Sequence, residues 1–124
     1  MKPCKVLILE DEMIFAMDLA QRLKSEGYET CELTATGEKA LENCEKQRPD
    51  IALIDINLRG NMSGIRTAKE IRSRFSIPVI FMTGYADAKT REDAEIVEPA
   101  GYFTKPLEIG KLIETIESAV KKNR

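Results

Sequence analysis

The sequence predicts an α/β protein whose single doubly wound sheet holds five parallel strands in the order 2-1-3-4-5, covered by five helices. Short apolar runs alternate with amphipathic stretches of helical length along the whole chain, which is typical of parallel sheets. The runs at residues 6–9, 51–54 and 79–82 are apolar without interruption, as strands buried on both faces require. Right-handed crossovers then restrict the topology to a doubly wound sheet, which binds ligands beyond the carboxyl ends of its strands.

The first strand is predicted at residues 6–9 and the first helix at residues 12–26. Apolar side chains recur every four residues along this helix and should face the core: Phe15, Leu19 and Leu23. Gly27 follows as a helix-ending glycine. Residues 28–33 interleave apolar with polar side chains, so they predict an edge strand rather than a central one.

The second helix is predicted at residues 36–47, and Pro49 marks its end. Its buried side chains should be Ala40, Leu41 and Cys44. The third strand, residues 51–54, leads directly into Asp55. Ser63 can then cap a third helix, whose apolar residues are Ile65, Ala68, Ile71 and Phe75.

The last part of the chain repeats the same alternation twice. The fourth strand at residues 79–82 is followed by Asp87, which can cap a largely polar fourth helix. Residues 101–104 predict the fifth strand, and the fifth helix should begin at about Leu107. One apolar stripe along this last helix contains Leu112, Ile113, Ile116 and Val120.

Length and composition predict one cytoplasmic domain. The 124 residues are 43% hydrophobic and 32% charged, which is ordinary for a globular protein. We therefore expect residues 1–124 to form a single domain with no output domain. The net charge of −2 provides no basic field for nucleic acid or acidic membrane. No apolar stretch approaches the roughly 20 residues that span a bilayer, and no signal-peptide pattern is present.

Cysteine and histidine usage excludes several kinds of chemistry. Cys4, Cys31 and Cys44 are odd in number and lack a CxxC spacing, so they predict reduced, mostly buried thiols. The chain contains no histidine, which excludes Ser-His and Cys-His nucleophilic pairs and histidine metal ligands. Chemistry in this protein must therefore use carboxylates, hydroxyl groups and lysine.

Four of the predicted strands end in residues that carry such groups. The first ends in Glu10 and Asp11, the third in Asp55, the fourth in Thr83 and the fifth in Lys105. Because the carboxyl ends of parallel strands lie at one edge of the sheet, we expect these residues to form a single crevice. A single acid at a strand end more often caps a helix or faces solvent, so the convergence of several carries the prediction.

This set of groups predicts a metal-assisted phosphoryl acceptor. Oxygen-only coordination by Glu10, Asp11 and Asp55 suits Mg²⁺, for which Mn²⁺ could substitute. The Asp55 carboxylate is a competent nucleophile toward phosphorus, and Thr83 and Lys105 can contact the remaining phosphoryl oxygens. The acids after the first strand would repel a bare phosphate, which disfavours a flavodoxin-like cofactor module.

Four blocks of the sequence resemble the signature of response-regulator receiver domains of two-component signalling. They are residues 6–12, the Asp55-Ile56-Asn57-Leu58 segment, Thr83-Gly84 and Lys105-Pro106. The resemblance implies phosphorylation of Asp55 by a histidine kinase or a phosphotransfer protein. It also implies Mg²⁺ held by Asp11, Asp55 and the Asn57 backbone carbonyl, with Glu10 acting through a water on the ion.

The resemblance also implies a conformational switch. Thr83 and Tyr102 would be the switch pair, in which the hydroxyl moves toward the phosphoryl group and the ring rotates inward. The Lys105-Pro106 peptide is commonly cis in this family. Asn57 and Tyr85 occupy positions where the family tunes attack by water, and bulky Tyr85 could shield the acyl phosphate.

Several positions depart from the commonest pattern of the family. Glu10 replaces the more usual aspartate, and Arg59 stands where proline is frequent. The loop of residues 59–64 is one residue longer than is typical. The extra methylene of Glu10 leaves its water-mediated role possible but alters its reach. We expect Arg59 and the longer loop to affect loop conformation and the lifetime of the phosphoryl group rather than the chemistry.

The implied partners are proteins. Ile14 and Met17 could form a kinase-docking patch on the first helix. A receiver of this kind would signal through the surface around the fourth helix, fifth strand and fifth helix, to a downstream protein that the sequence does not identify. A phosphorylation-linked dimer is also compatible with a receiver of this kind. We expect a signalling switch rather than an enzyme, with at most phosphorylation from donors and autodephosphorylation.

Two other interpretations remain open at this point. A haloacid-dehalogenase-type phosphatase would also use an Asp nucleophile and Mg²⁺, but it carries a second acid two residues later, where this chain has Asn57. The chain also lacks a cap domain. A non-phosphorylated interaction module is less consistent with the sequence, because every expected site residue type is present.

Overall fold

The structure, a computed structural model, describes residues 3–85 and 87–123. Its strands are β1 Lys5–Leu9, β2 Glu29–Thr30, β3 Ile51–Asp55, β4 Val79–Thr83 and β5 Gly101–Thr104. Its helices are α1 Met13–Ser25, α2 Gly37–Gln47, α3 Gly64–Phe75, α4 Ala88–Glu95 and α5 Ile109–Asn123. The strands form one parallel sheet in the order β2-β1-β3-β4-β5, which confirms the predicted fold.

The sheet separates two hydrophobic cores, because alternate residues of its central strands point to opposite faces. One core packs α1 and α5 against the side chains of β1, β3 and β4 that include Ile8, Leu53 and Ile80. The other packs α2, α3 and α4 against the intervening residues, such as Ile54 and Phe81. Every residue of β3 and β4 is buried, which explains why these strands read as unbroken apolar runs.

Helix ends follow the chemistry that the sequence predicted. The Ser63 hydroxyl accepts a hydrogen bond from the Arg66 backbone N–H at 3.1 Å, and the Asp87 carboxylate accepts one from Thr90 at 2.7 Å. Both residues therefore act as N-caps. Gly27 follows the end of α1 with a φ of +94°, a conformation that favours glycine.

The edge strand β2 is shorter than the predicted residues 28–33. Lys5 pairs with Glu29 and Val6 with Thr30, whereas farther along the same edge Leu9 bridges to Thr34. Between these two pairings β1 advances by three residues, from Val6 to Leu9, whereas the edge segment advances by four, from Thr30 to Thr34. The regular ladder therefore ends at Thr30, and residues 31–33 belong to no strand.

Helix α5 begins at Ile109 rather than at the predicted Leu107. The Glu108 carboxylate accepts hydrogen bonds from the backbone N–H groups of Gly110 and Lys111 at 3.1 and 3.0 Å, which caps the helix at this point. Leu41, expected in the core, is only partly buried at the rim of the α2 and α3 side. Within the described residues, no helix combines the length and apolar character that crossing a membrane requires.

Helix α4 is the least buried of the helices. Its eight residues include one buried side chain, Ala94, whereas α5 buries four. Ile96, just beyond α4, is 71% exposed. The prediction of a largely polar fourth helix is confirmed, and α4 has little apolar surface with which to pack against the sheet.

Candidate functional site

The predicted site residues meet at the carboxyl edge of the sheet. Glu10 and Asp11 follow β1, Asp55 and Thr83 are the last residues of β3 and β4, and Lys105 follows β5. The parallel arrangement of these strands brings their ends together. The sequence therefore predicted correctly which residues converge there.

Three of the acids lie close enough to share one ion. Carboxylate oxygens of Glu10, Asp11 and Asp55 lie within 4.8 Å of one another. Glu10 is fully buried and Asp55 is 4% exposed, so water alone does little to screen their mutual repulsion. An all-oxygen, anionic donor set of this kind fits a hard divalent cation such as Mg²⁺ or Mn²⁺.

Lys105 supplies the positive charge on the inner side of this cluster. Its ammonium donates a hydrogen bond to Glu10 Oε1 and lies 3.8 Å from Asp55 Oδ2 and 3.6 Å from Glu12 Oε1. A backbone hydrogen bond of 2.7 Å from Lys105 to the Thr83 carbonyl holds this residue beside the end of β4. The Lys105-Pro106 peptide is cis, as the resemblance implied.

Burial dominates the electrostatics of Glu10. Desolvation raises the pKa of the Glu10 carboxyl to about 7, although the hydrogen bond from Lys105 opposes this shift. Desolvation also acts to lower the pKa of the Lys105 ammonium, but the hydrogen bond to Glu10 and the charge of Asp55 outweigh it and raise that pKa. Lys105 therefore stays charged near neutral pH.

Arg59 pairs with the outermost acid, a contact that the sequence did not reveal. The Arg59 backbone N–H and its guanidinium Nε lie 3.1 and 3.3 Å from the same oxygen, Asp11 Oδ2. The Asp11 side chain is 16% exposed and that of Arg59 is 85% exposed. Partial burial acts to raise the pKa of Asp11, but the two hydrogen bonds from Arg59 outweigh it and lower that pKa.

Asn57 connects the ends of β3 and β4. Its backbone N–H donates to Asp55 Oδ1 at 3.0 Å, and its side-chain amide donates to the Thr83 hydroxyl at 2.7 Å. The Thr83 hydroxyl in turn donates to the Tyr85 carbonyl and accepts from the Tyr85 N–H at 3.1 Å. In this structure the Thr83 hydroxyl therefore points toward the loop after β4 rather than toward Asp55.

Tyr102 lies in β5 with its ring between the sheet and α4. The ring meets Phe81 edge to face at a centroid distance of 6.5 Å, and the Arg91 guanidinium lies 4.5 Å from its centroid. The Tyr102 hydroxyl is buried and has no hydrogen-bond partner among the described residues. Desolvation raises the pKa of this phenol.

Gly64 fixes the position of α3 against β3. A Cβ atom at this position would lie 2.2 Å from the Asp55 carbonyl oxygen, so no larger residue fits without moving the backbone. The loop of residues 59–63 therefore ends at a fixed contact with β3.

Sequence reasoning missed two contacts around the site in addition to Arg59. The apolar spacing of α1 predicts only a core position for Phe15, but the Lys105 ammonium lies 4.3 Å from its ring centroid. Glu12, one of the acids after the first strand, pairs with the same ammonium. An aromatic residue one helical turn after the acidic segment is the signal that could have suggested the first contact.

Comparison with known proteins identifies the family. The model of the family described as "Response regulator receiver domain" matches residues 6–117. The chain therefore belongs to the response-regulator receiver family of two-component signal transduction. This assignment favours a signalling domain over the phosphatase alternative.

Individual relatives support this assignment. The chain is 36% identical over 122 residues to the transcriptional regulatory protein PdtaR of Mycobacterium tuberculosis, matching 98% of this chain and 59% of PdtaR. It is also 36% identical to the sensory transduction protein RegX3 of Mycolicibacterium smegmatis, over 94% of this chain and 50% of RegX3. The chain thus spans about half to three fifths of the length of these two curated relatives.

Solved structures show the same fold. The signal receiver domain of a modulated diguanylate cyclase from Desulfovibrio desulfuricans superposes with a TM-score of 0.93 at 37% identity, covering 98% of this chain and 97% of that one. A CheY-like receiver domain protein from Methanospirillum hungatei gives a TM-score of 0.89 at 27% identity, with the same coverage of both chains.

Proposed function

We propose that residues 1–124 act as one receiver module that accepts a phosphoryl group on Asp55 in a reaction requiring Mg²⁺. The observation that supports this proposal best is the cluster of Glu10, Asp11 and Asp55 beside Lys105. Asp55 is nearly buried and lies next to a cation. A carboxylate that attacks phosphorus and then carries the phosphoryl group requires such surroundings.

The transfer step balances with the groups that the crevice holds. A carboxylate oxygen of Asp55 attacks phosphorus in line with the leaving group, forming an acyl phosphate as the bond from phosphorus to the donor nitrogen breaks. The donor histidine retains that electron pair. Lys105, which lies 3.8 Å from Asp55 Oδ2, contacts one phosphoryl oxygen.

Asp11, Asp55 and the Asn57 carbonyl would hold the Mg²⁺ ion, with Glu10 acting at longer range. The ion would supply charge neutralisation at the transferring group. The Arg59 backbone N–H and guanidinium both contact Asp11 Oδ2, so they would compete with the ion for the electron pairs of that oxygen. The departure from the usual proline at this position would therefore affect metal affinity.

Thr83 and Tyr102 are proposed as the switch pair. To contact a phosphoryl oxygen, the Thr83 hydroxyl must break its hydrogen bond to the Tyr85 carbonyl. Release of Tyr85 would loosen the segment that leads into α4. Tyr102 packs between Phe81 and Arg91, so a change in its position would move the surface formed by α4, β5 and α5.

The proposed upstream partner is a histidine kinase or a phosphotransfer protein. Ile14 and Met17 are 88% and 61% exposed on α1, next to the acidic crevice, which is consistent with the predicted docking patch. A downstream protein would recognise the surface around α4. Three further points stay predictions. They are that the chain contacts neither nucleic acid nor membrane, that it lies in the cytoplasm, and that phosphorylation can be linked to dimer formation.

Intact mass spectrometry tests the proposal most directly. The protein is incubated with Mg²⁺ and acetyl phosphate, and wild type is compared with Asp55→Asn. We expect wild type alone to gain the mass of one phosphoryl group, and chelation of Mg²⁺ to abolish that gain. Equal labelling of both proteins would place the acceptor elsewhere.

A second experiment addresses the switch. Beryllium fluoride mimics a phosphoryl group on aspartate, so its addition with Mg²⁺ should shift the NMR signals of Tyr102 and α4. If wild type gained no mass and beryllium fluoride caused no shift, the phosphoacceptor function would be abandoned and the fold assignment retained.

A further inference from the structure

The Lys105 ammonium lies over the face of Phe15, a residue to which the proposed reaction assigns no role. The distance from Nζ to the ring centroid is 4.3 Å, well inside the range of a cation–π contact. Phe15 lies on the first turn of α1 and is only partly buried. Its ring therefore contacts both the α1 and α5 core and the crevice.

The remaining contacts of this ammonium are with acids. Glu10 accepts its hydrogen bond, whereas Glu12 and Asp55, at 3.6 and 3.8 Å, are ion-pair partners beyond ordinary hydrogen-bond distance. An incoming phosphoryl group needs N–H donors that are not already committed to carboxylates. A lysine with a flexible four-carbon chain also needs to be held in place.

We infer that Phe15 is a positioning residue for Lys105 in the phosphoryl-transfer reaction. The negative face of the ring attracts the ammonium through its quadrupole but accepts no conventional hydrogen bond and adds no charge. Phe15 therefore restrains Lys105 beside Asp55 and leaves its donors available for phosphoryl oxygens. Carboxylates such as Glu12 restrain the ammonium only by competing with the phosphoryl group for it.

This inference rests on the proposed function of Asp55 and Lys105, but part of its test is independent of phosphorylation. The variant Phe15→Leu keeps the apolar contact with the core and removes the quadrupole of the ring. The variant Phe15→Tyr keeps the aromatic face. Phe75→Leu is a matched control, because Phe75 is a partly buried aromatic that contacts the Arg48 and Arg74 guanidinium groups on another part of the molecule.

The first readout is the NMR spectrum of the lysine εCH₂ groups. The Lys105 signal is identified by its loss in Lys105→Met. Protons above an aromatic face are shifted to lower frequency by the ring current, so this signal should be displaced from those of the exposed lysines. We expect Phe15→Leu to remove the displacement, and Phe15→Tyr and Phe75→Leu to retain it.

The second readout is the rate of phosphorylation by acetyl phosphate with saturating Mg²⁺. A partly desolvated cation–π contact predicts that Phe15→Leu slows the reaction by about three- to tenfold. Phe15→Tyr should restore most of the rate, and Phe75→Leu should leave it unchanged. Circular dichroism confirms folding, and Phe15→Met replaces Phe15→Leu if the leucine variant does not fold.

Each outcome decides a separate point. An unchanged Lys105 signal in Phe15→Leu would overturn the contact itself. A shifted signal with an unchanged rate would overturn the positioning role. A failure of wild type to accept a phosphoryl group, with the Lys105 signal displaced as expected, would count against the proposed function while leaving the contact in place.

Discussion

The acidic crevice has two sides, and on each side a cation neutralises a carboxylate in different surroundings. On the buried side, Glu10 pairs with Lys105, and both side chains are largely removed from water. On the loop side, Asp11 pairs with Arg59, whose side chain is 85% exposed. Adjacent acids in the sequence therefore each acquire one cationic partner, but in environments of very different polarity.

The two pairs shift the pKa of their acids in opposite directions. Burial raises the pKa of Glu10 to about 7 in spite of Lys105, whereas partial burial of Asp11 is outweighed by Arg59 and its pKa falls. A cationic partner therefore does not by itself determine the charge of an acid. The access of water to the pair decides whether the partner or the desolvation prevails.

Removal of the cation from the buried side should have the largest effect. We expect Lys105→Met to slow phosphorylation by acetyl phosphate by about 100-fold, because the phosphoryl oxygens lose a preorganised donor in a site with little water. Labelling rates from intact mass measure this effect. Lys111→Met, which alters an exposed lysine of α5, should leave the rate unchanged, and an equal loss in both variants would contradict the assignment.

The pH dependence of stability should reveal the raised pKa of the buried acid, Glu10. The folded pKa of Glu10, about 7, exceeds its ordinary value of 4.5, so the folded state binds more protons between these values. The free energy of unfolding of the metal-free protein should therefore fall as the pH rises from about 5 to 7, by on the order of 1–3 kcal/mol from this group.

The variant Glu10→Gln should remove most of that slope, as measured by urea unfolding in the presence of a chelator. The matched variant Glu12→Gln changes a neighbouring, exposed acid and should retain the slope. A wild-type protein whose stability rose steadily from pH 5 to 7 would contradict the assignment of a raised pKa to Glu10.

Removal of the cation from the loop side should have a smaller effect, and it should strengthen Mg²⁺ binding rather than impair the protein. Arg59→Ala removes the guanidinium from Asp11 Oδ2 but keeps the backbone N–H bond to that oxygen. We therefore expect Mg²⁺ to bind about two- to fivefold more tightly, the range of an exposed ion pair. Calorimetric titration measures the affinity. The difference from wild type should shrink in high salt, and Arg66→Ala on α3 should show none.

The smallest effect is expected for Tyr85, which is 73% exposed beside the crevice. Tyr85→Ala removes a bulky side chain but keeps the backbone groups that bond to Thr83. Loss of this shield should speed hydrolysis of the aspartyl phosphate by about twofold, read from the decay of labelled protein. An unchanged decay would exclude Tyr85 from tuning and leave that role to Asn57.

Most of the fold could be predicted from local patterns. The unbroken apolar run before Asp55 predicts a central strand because both of its faces are buried, and Ser63 predicts a helix start because its hydroxyl satisfies a free backbone N–H. The early end of β2 at Thr30 could not be predicted. It depends on how the edge strand pairs with β1, which local sequence does not specify.

The site was predictable to the extent that strand ends determine it. Asp55 and Thr83 end adjacent parallel strands, so their proximity follows from topology. The contacts of Arg59 with Asp11 and of Phe15 with Lys105 depend on side-chain directions across a loop and a helix. Such contacts form only after the elements have packed, and residue type alone gives no distance between them.

The shallow burial of α4 has a consequence for the thermodynamics of signalling. A helix attached through Ala94, and through Arg91 stacked on Tyr102, can detach or shift without exposing much apolar surface. Its opening should therefore lie at the low end of the local unfolding free energies of the molecule, and its amide hydrogens should exchange early. A small amount of binding energy from a partner would be enough to select one position of this helix over another.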